Sequence, residues 1–415
     1  MKITIPWHAW YGDEYLELAF PDGWRGQAYW PVDGPDMEDD EIIAAFDHPI
    51  GSPTIEELAR KKSRNGRCTV AIAVDDISRP TPAARLMPVL MQRLETGGVN
   101  LDDVTVVLGV GMHRLMSKEE MLKKLGQAAC DRLDVHNSFP YDNLADLGLS
   151  DRGTPIKVSR HFAGADLKIG VGSITPHGGP GFGGGAKVVI PGVSSFETVS
   201  SMHEPGRLKT GLLNVDDNEL RADVEDMAAK IGLDAIANVV VTSRRGIAGV
   251  FVGDFVKAHR AGVAQARRIY ATPIPPEPVD IVICNAYPKD TDFLQAGLGL
   301  NPLNSASLVG RQLVKEDGTV VILTASPEGR GYHSLYSPGM IYGRSNGHWR
   351  ENPPTYQGRP LLYVSPHITP QDARSTLTFG DWEGARRYLD ERYRDPTFAV
   401  FPCGALQVAE ESVRG

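Results

Sequence analysis

The stretch that most restricts the fold runs over residues 170–206, GVGSITPHGGPGFGGGAKVVIPGVSSFETVSSMHEPG. Six glycines fall between Gly178 and Gly185, with His177 before them, Lys187 just after, and His203 sixteen residues beyond that lysine. Glycine at this density lets a backbone turn through positive φ and approach a ligand closely, so that several N–H groups can converge on an anion such as a phosphate. A loop made only for flexibility has no need of two histidines and a lysine. Two familiar loops are excluded. A P-loop ends in Gly-Lys-Ser/Thr, whereas this one ends in Gly185-Ala186-Lys187-Val188, and Gly170-Val171-Gly172-Ser173-Ile174-Thr175 lacks the third glycine of a dinucleotide fingerprint.

A chain of 415 residues is too long for one ordinary core, and two domains are expected. The net charge of -9 argues against nucleic acid or an anionic membrane as partner. The first twenty residues reach acidic side chains before any long apolar run, which points to neither a signal peptide nor a membrane span. Cys68, Cys130, Cys284 and Cys403 form no CxxC pair, and a reducing cytoplasm is the expected compartment.

Apolar runs predict strands over 68–74, 104–110, 156–158, 167–171, 187–190 and 237–241, alternating with helices over 54–61, 83–94, 117–129, 218–231 and 255–270. Before them, the first fifty residues read as a short β meander and an irregular acidic linker over 34–41. Ser194 and Glu197 read as a capping box opening a helix that carries His203 and stops at Pro205-Gly206. Four prolines over 271–278 mark a linker. Beyond it, strands are predicted over 279–284, 319–323, 361–364 and 398–401. The expected fold is α/β, two domains with mostly parallel sheets flanked by helices and the active site in an interdomain cleft. The domains are read as 1–270, carrying the chemical motifs, and 279–415, with the last helix expected to pack back on the first domain.

In open parallel sheets ligands bind at the carboxyl ends of strands. There stand Asp75-Asp76-Ile77-Ser78-Arg79-Pro80-Thr81-Pro82, then Gly109-Val110-Gly111-Met112-His113-Arg114, then His177. Three strand ends thus deliver Arg79, His113 and His177 to one rim. A guanidinium suits a carboxylate or phosphate. Two imidazoles on opposite faces of a substrate can each act as acid or base, which is the logic of a racemase or epimerase. His203 is a candidate metal ligand, and Lys187 a site of covalent attachment or a phosphate anchor. From residues alone this is a small-acid enzyme with histidine acid/bases, with or without a metal. Two alternatives stay open: a zinc- or other metal-dependent hydrolase or lyase using the histidines as ligands, and a non-catalytic cofactor-binding protein. His8, His136, His161, His259 and His367 lack motif context and read as structural. His333 and His348 are candidates for the rim of the cleft, and Trp349 and Trp382 for stacking or packing.

Asp-Asp-Ile-Ser-Arg-Pro-Thr-Pro, Gly-Met-His-Arg and His-x9-Lys-x3-Pro-Gly…His, in order over 75–203, resemble the signature of the lactate racemase family that uses a nickel-pincer nucleotide. Pro327-Glu328-Gly329-Arg330-Gly331 and the 292–295 segment extend the resemblance. It implies a pyridinium-derived bis-thio mononucleotide tethered to Lys187, made by separate maturation enzymes, with nickel bound by the nucleotide and His203; such a soft tetragonal set suits Ni(II). It further implies His113 and His177 as the paired catalytic histidines and Arg79 as the carboxylate-binding residue. Asp76, Ser173, Gly183, Gly184 and Gly185 would serve the cofactor, and Gln295 the substrate. Where the family's lactate enzyme has a tyrosine and a lysine beside that glutamine, this chain has Leu294 and Leu298. The expected substrate is therefore a 2-hydroxy acid other than lactate, with Lys289, Arg344 and Arg350 as candidates to replace the missing cation. The implied protein is a cytoplasmic monomer or homodimer.

Overall fold

The computed structural model describes residues 1–338, 340–342, 350–351 and 353–414; Arg344, His348 and Trp349 lie outside the described residues. The chain forms two compact units. A central unit comprises Gly34–Ala266 and His333–Gly343, and a terminal unit comprises Met1–Asp33, Arg267–Tyr332 and Arg344–Gly415. No helix among the described residues is long and apolar enough to cross a membrane.

The central unit is built on a six-stranded sheet in the order Ile247–Gly253, Ala235–Val241, Leu167–Ser173, Val70–Asp75, Val104–Gly109, Asp134–Asn137. Every neighbouring pair is parallel except the first, where Ile247–Gly253 runs antiparallel. The inner strands are near-continuous runs of buried apolar residues, as expected of strands covered on both faces. Helices Ala83–Thr96, Glu219–Ile231 and Lys257–Ile269 join or follow them. Because Val70–Asp75 pairs with both Val104–Gly109 and Leu167–Ser173, the ends of these three strands open side by side.

The terminal unit holds a second sheet, ordered Thr355–Tyr356, Arg359–Val364, Val314–Leu323, Val279–Asn285, Thr397–Phe401, Arg25–Ala28, with Thr378–Phe379 beside Arg359–Val364. The expected boundary at 270 is corrected at the amino end. Arg25–Ala28 is a parallel edge strand against Thr397–Phe401. The preceding hairpin, Lys2–Trp7 with Glu14–Ala19, sends Ile5, Trp7 and Leu18 into one core with Ile283, Val321 and Phe398. Phe20 stacks on Phe398 at 4.2 Å between ring centroids, and Trp24 and Trp382 close around it. The last helix, Trp382–Arg392, therefore packs on amino-terminal residues that belong to the terminal unit. Trp382 is core, not a stacking platform. The proline-rich linker is partly ordered too, since Ala271–Thr272 pairs with Val408–Ala409.

Four smaller expectations are also corrected. Residues 187–190 are no strand; Gly185–Val188 is a 3-10 turn, because positive φ at Gly184 and Gly185 sets a tight coil that an extended chain cannot follow. Ser195, not Ser194, caps the helix Phe196–Met202, and Ser194 N–H bonds the Pro191 carbonyl instead. The acidic stretch before residue 41 turns helical at Asp39, where Glu38 and Glu41 form a capping box. The helix expected over 117–129 breaks at Gly126 (φ 82°) into Lys118–Leu125 and Gln127–Arg132.

Truncating a buried aromatic leaves a cavity as well as losing transfer energy, about 3–5 kcal/mol. Phe20→Ala should lower the denaturation midpoint of the terminal unit, followed by the fluorescence of Trp24 and Trp382. An unchanged midpoint would mean that residues 1–33 are not part of its core.

Candidate active site

The turn after Val70–Asp75 is fixed from below by a buried lysine. Lys124, with no exposed surface, reaches up from the helix Lys118–Leu125 to pair with Asp75 Oδ1 at 2.6 Å. It also donates to the carbonyls of Asp76 and Arg79 at 2.9 and 3.0 Å. Burial lowers its pKa, and Asp75 opposes the shift. Asp75 Oδ2 accepts in addition from Thr81 Oγ1 and from the Ser173 N–H. The backbone on which Asp76, Ser78 and Arg79 stand is thereby rigid.

Above it, Asp76 Oδ2 meets His113 Nδ1 at 2.5 Å. Its Oδ1 accepts from the Ser78 N–H and hydroxyl at 3.1 and 2.6 Å, and Arg79 donates to Ser78 Oγ at 2.8 Å. Burial alone would raise the Asp76 carboxyl, but His113, Arg79 and Ser78 hold it well below the ordinary carboxylate range. Asp76 is thus an anion, and the His113 proton sits on Nδ1 facing it.

His177 has the opposite arrangement. It lies in the short ladder Pro176–His177 with Gly181–Phe182, and the Gly179 N–H donates to its Nδ1 at 3.0 Å. A backbone N–H can only donate, so Nδ1 carries the lone pair and the neutral ring holds its proton on Nε2.

The glycine loop that follows is wound tightly. Gly184 and Gly185 have φ of 71° and 61°. A Cβ on Gly184 would lie 2.8 Å from Asn238 Oδ1, and one on Gly185 would lie 2.9 Å from the His259 ring. Arg221, fully buried, donates to the carbonyls of Pro180, Phe182 and Gly184. Burial lowers its pKa to about 10, against Glu225. His259, kept neutral by burial and by Arg221 and Arg260, donates Nε2–H to the Gly183 carbonyl at 2.9 Å. The N–H groups of Gly183 and Gly185 go to the Thr175 carbonyl and Asn238 Oδ1. The expected convergence of glycine N–H groups on an anion is therefore corrected at Gly179, Gly183 and Gly185, whose donors are taken within the protein. What the loop offers there is close backbone shape.

Lys187 rides on this loop. Burial, with Arg79 and Arg221 nearby, lowers its pKa to about 7, partly offset by Asp76 and Asp75. Near neutral pH it is in good part a free amine, the nucleophilic form of a lysine. His203, the residue closing Phe196–Met202, donates Nδ1–H to the Val199 carbonyl at 2.8 Å. Burial and Lys187 keep it neutral, leaving the Nε2 lone pair for a metal. That carbonyl is the kind of outer partner that orients ligating imidazoles. Ser173 Oγ and Asn238 Nδ2 are buried with no hydrogen-bond partner among the described residues. A tethered group with polar oxygens would satisfy such atoms. These features fit the group that the sequence resemblance implies: one amine anchor, one imidazole ligand, a glycine surface and unsatisfied buried donors.

Asp76, Arg79, His113, Lys187 and His203 thus lie within reach of one another's charge, and His177 follows the neighbouring strand end. Gln295, Leu294 and Leu298 belong to the terminal unit, on the 3-10 segment Phe293–Leu300. There Gln295 is buried and the two leucines are half-buried. Lys289 is buried in the same unit. Sequence reasoning missed Lys124 and Arg221, whose roles are non-local, and it left His333 as a bare candidate. His333 belongs to the central unit and its ring stands 5.2 Å from that of His113. Among the described residues no three His, Cys, Asp or Glu side chains form a metal-holding group.

Residues 11–210 match the family model described as the lactate racemase N-terminal domain. Over that segment the chain resembles the lactate racemase family. It is 28% identical over 309 residues to the lactate racemase of Lactiplantibacillus plantarum, covering 72% of this chain and 69% of the relative. It is also 28% identical over 308 residues to the lactate racemase of Thermoanaerobacterium thermosaccharolyticum, covering 72% and 68%. The fold is shared with the lactate racemase apoprotein from that organism, at a TM-score of 0.72 and 21% identity over 98% of this chain and 100% of that one. A crystal structure of a Thermotoga maritima protein is similar at 0.64, 18% identical, over 91% and 99%.

The lowered pKa of Lys187 predicts two outcomes. Its reaction with an amine-methylating reagent should titrate near pH 7 rather than 10.5, and Arg79→Gln should move that midpoint upward. Since the folded chain releases this proton first, the unfolded chain binds more protons between those values. Stability owed to Lys187 therefore rises with pH across that window. Lys187→Met should remove that rise, read from urea midpoints at pH 7 and 9.

Proposed function

We propose that this protein is a racemase or epimerase that inverts the hydroxyl-bearing carbon of a 2-hydroxy acid. The observation that carries the reading is a pair of histidines at neighbouring strand ends, each held through Nδ1: His113 against the Asp76 anion and His177 against the Gly179 N–H. Inversion requires a group that takes a proton on one face and a group that returns one on the other.

Arg79 binds the substrate carboxylate as a planar fork. For one enantiomer His113 Nε2 accepts the hydroxyl proton, and Asp76 stabilises the imidazolium that results. Loss of that proton together with the Cα hydride leaves a planar 2-keto acid. His177, as an imidazolium with its Gly179 contact released, then gives its Nε2 proton to the oxygen as the opposite enantiomer forms and is left a neutral ring. The reverse direction exchanges the two roles. Lys187 would hold the nickel-bearing pyridinium bis-thio mononucleotide covalently, and His203 would be the protein ligand to its nickel. When bound, that group supplies the acceptor and donor of the hydride. Maturation enzymes are its expected source. Leu294 and Leu298 carry neither hydroxyl nor charge, which favours a 2-hydroxy acid other than lactate.

The test is intact mass and nickel content of the chain co-produced with maturation enzymes, followed by a screen of chiral 2-hydroxy acids. A nucleotide-sized increment lost in Lys187→Ala, stoichiometric nickel and inversion of an enantiomerically pure acid are expected. Zinc without an adduct would favour the hydrolase reading, and an adduct without turnover the carrier reading. His113→Gln and His177→Gln should each lower inversion by on the order of 10²–10⁴ while leaving the adduct in place. Asp76→Asn, which removes the anion that fixes the His113 tautomer, should act in the same direction.

A further inference from the structure

His333 is a third imidazole beside this pair, and neither proton transfer nor carboxylate binding uses it. Its position is fixed by backbone. His113 and His333 form an antiparallel bridge, and the Ser334 N–H donates to the Met112 carbonyl at 3.0 Å. Tyr141 Oη donates to Ser334 Oγ at 2.9 Å, and Leu335 is buried against Met112 and Val199. The tautomer is fixed as well. The Leu335 N–H donates to His333 Nδ1 at 3.3 Å, so the proton lies on Nε2. Burial first, then His113, His203 and Arg79, pushes the ring down to about 2, with Asp76 opposing. The ring is neutral at any working pH.

With Nδ1 occupied and Nε2 protonated, His333 cannot take a proton from substrate. It can donate one hydrogen bond. A purely structural role as cap of the turn Ser334–Tyr336 would be better met by serine or aspartate, and an aspartate would gain from the nearby Arg79 cation. An imidazole N–H at this place suits an oxygen acceptor. On a bound 2-hydroxy acid, Arg79 takes the carboxylate, and His113 and His177 take the 2-hydroxyl. Only oxygens further along the chain are left.

We propose that His333 is a specificity residue whose Nε2–H donates to a hydroxyl oxygen on the substrate beyond its second carbon. The preferred substrate class is then a 2,3-dihydroxy acid or longer polyol acid. This rests on the racemase reading above. A site built to hydrogen-bond a hydroxyl discriminates strongly against the analogue lacking it, because the protein donor is left unpaired.

The test uses a nearly isosteric pair, glycerate and 2-hydroxybutyrate, which exchange a hydroxyl for a methyl on the third carbon. Inversion kcat/KM is measured on the nickel-loaded full chain, and binding of both acids is measured by calorimetry on the cofactor-free full chain. Wild type is compared with His333→Gln, which keeps a donor, and with His333→Phe and His333→Met, which do not. Wild type should favour glycerate by about tenfold or more, mainly through KM. Glutamine should keep part of that preference, and Phe and Met should abolish it. Turnover of 2-hydroxybutyrate should stay within about threefold in all variants that melt like wild type. A preference unchanged in either apolar variant, or no preference for glycerate in either assay, overturns the inference. If the loaded chain inverts neither acid but the cofactor-free chain binds glycerate preferentially in a His333-dependent way, the racemase reading fails and the role of His333 stands.

Discussion

A buried guanidinium must find acceptors or unfold what surrounds it, and Arg221 finds them in the glycine loop. Three loop carbonyls, those of Pro180, Phe182 and Gly184, face it, while His259 takes the carbonyl of Gly183. A loop rich in glycine would by itself lose much conformational entropy on ordering. Here its carbonyls are drawn inward around one cation, and its turn is closed by residues that tolerate no Cβ. Everything mounted on the loop inherits that order. Lys187 leaves it two residues after the tightest bend, among Arg79 and Arg221, and that company is part of why its amine sheds a proton so readily.

The neighbouring strand end is built by a second buried cation. Lys124 binds Asp75 and two turn carbonyls, which frees the next aspartate to face His113 instead of the helix below. The division between Asp75 and Asp76 is therefore one of neighbours. Identical side chains one position apart become a structural anchor and the partner of an imidazole. The same logic separates the histidines. Asp76 accepts from Nδ1 of His113, a glycine N–H donates to Nδ1 of His177, and a backbone carbonyl accepts from Nδ1 of His203. In each case the proton on the second nitrogen is set by what the first one meets, and the proposed roles of base, acid and metal ligand rest on that.

What was legible in the sequence was local. The strand-turn motifs around Arg79 and His113 show themselves because the carboxyl end of a parallel strand, the turn and the polar residue are consecutive. His203 at the close of a helix follows from Ser195, Pro205 and Gly206 in the same way, although the cap fell one residue later than expected. What was not legible was non-local or conformational. The edge strand Arg25–Ala28 joins, and the hairpin of residues 2–19 packs into the core of, a sheet whose other strands begin some 250 residues later, and nothing in their own pattern names that partner. Residues 187–190 look like a strand by composition, yet the left-handed glycines before them decide otherwise. Lys124 and Arg221 read as surface charges on amphipathic helices until their partners are seen. His333 follows no strand, and its place beside His113 comes from a bridge between segments 220 residues apart.

The most direct test of the account is the protonation pattern of the two rim histidines. Long-range proton–nitrogen spectra of the full chain, assigned with His113→Gln and His177→Gln, report which ring nitrogen carries hydrogen. The account predicts His113 protonated on Nδ1 and His177, when neutral, on Nε2, with Asp76→Asn disturbing only the former. Finding the same tautomer on both rings, or a His113 indifferent to Asp76, would contradict the division of acid and base on which the proposed inversion depends.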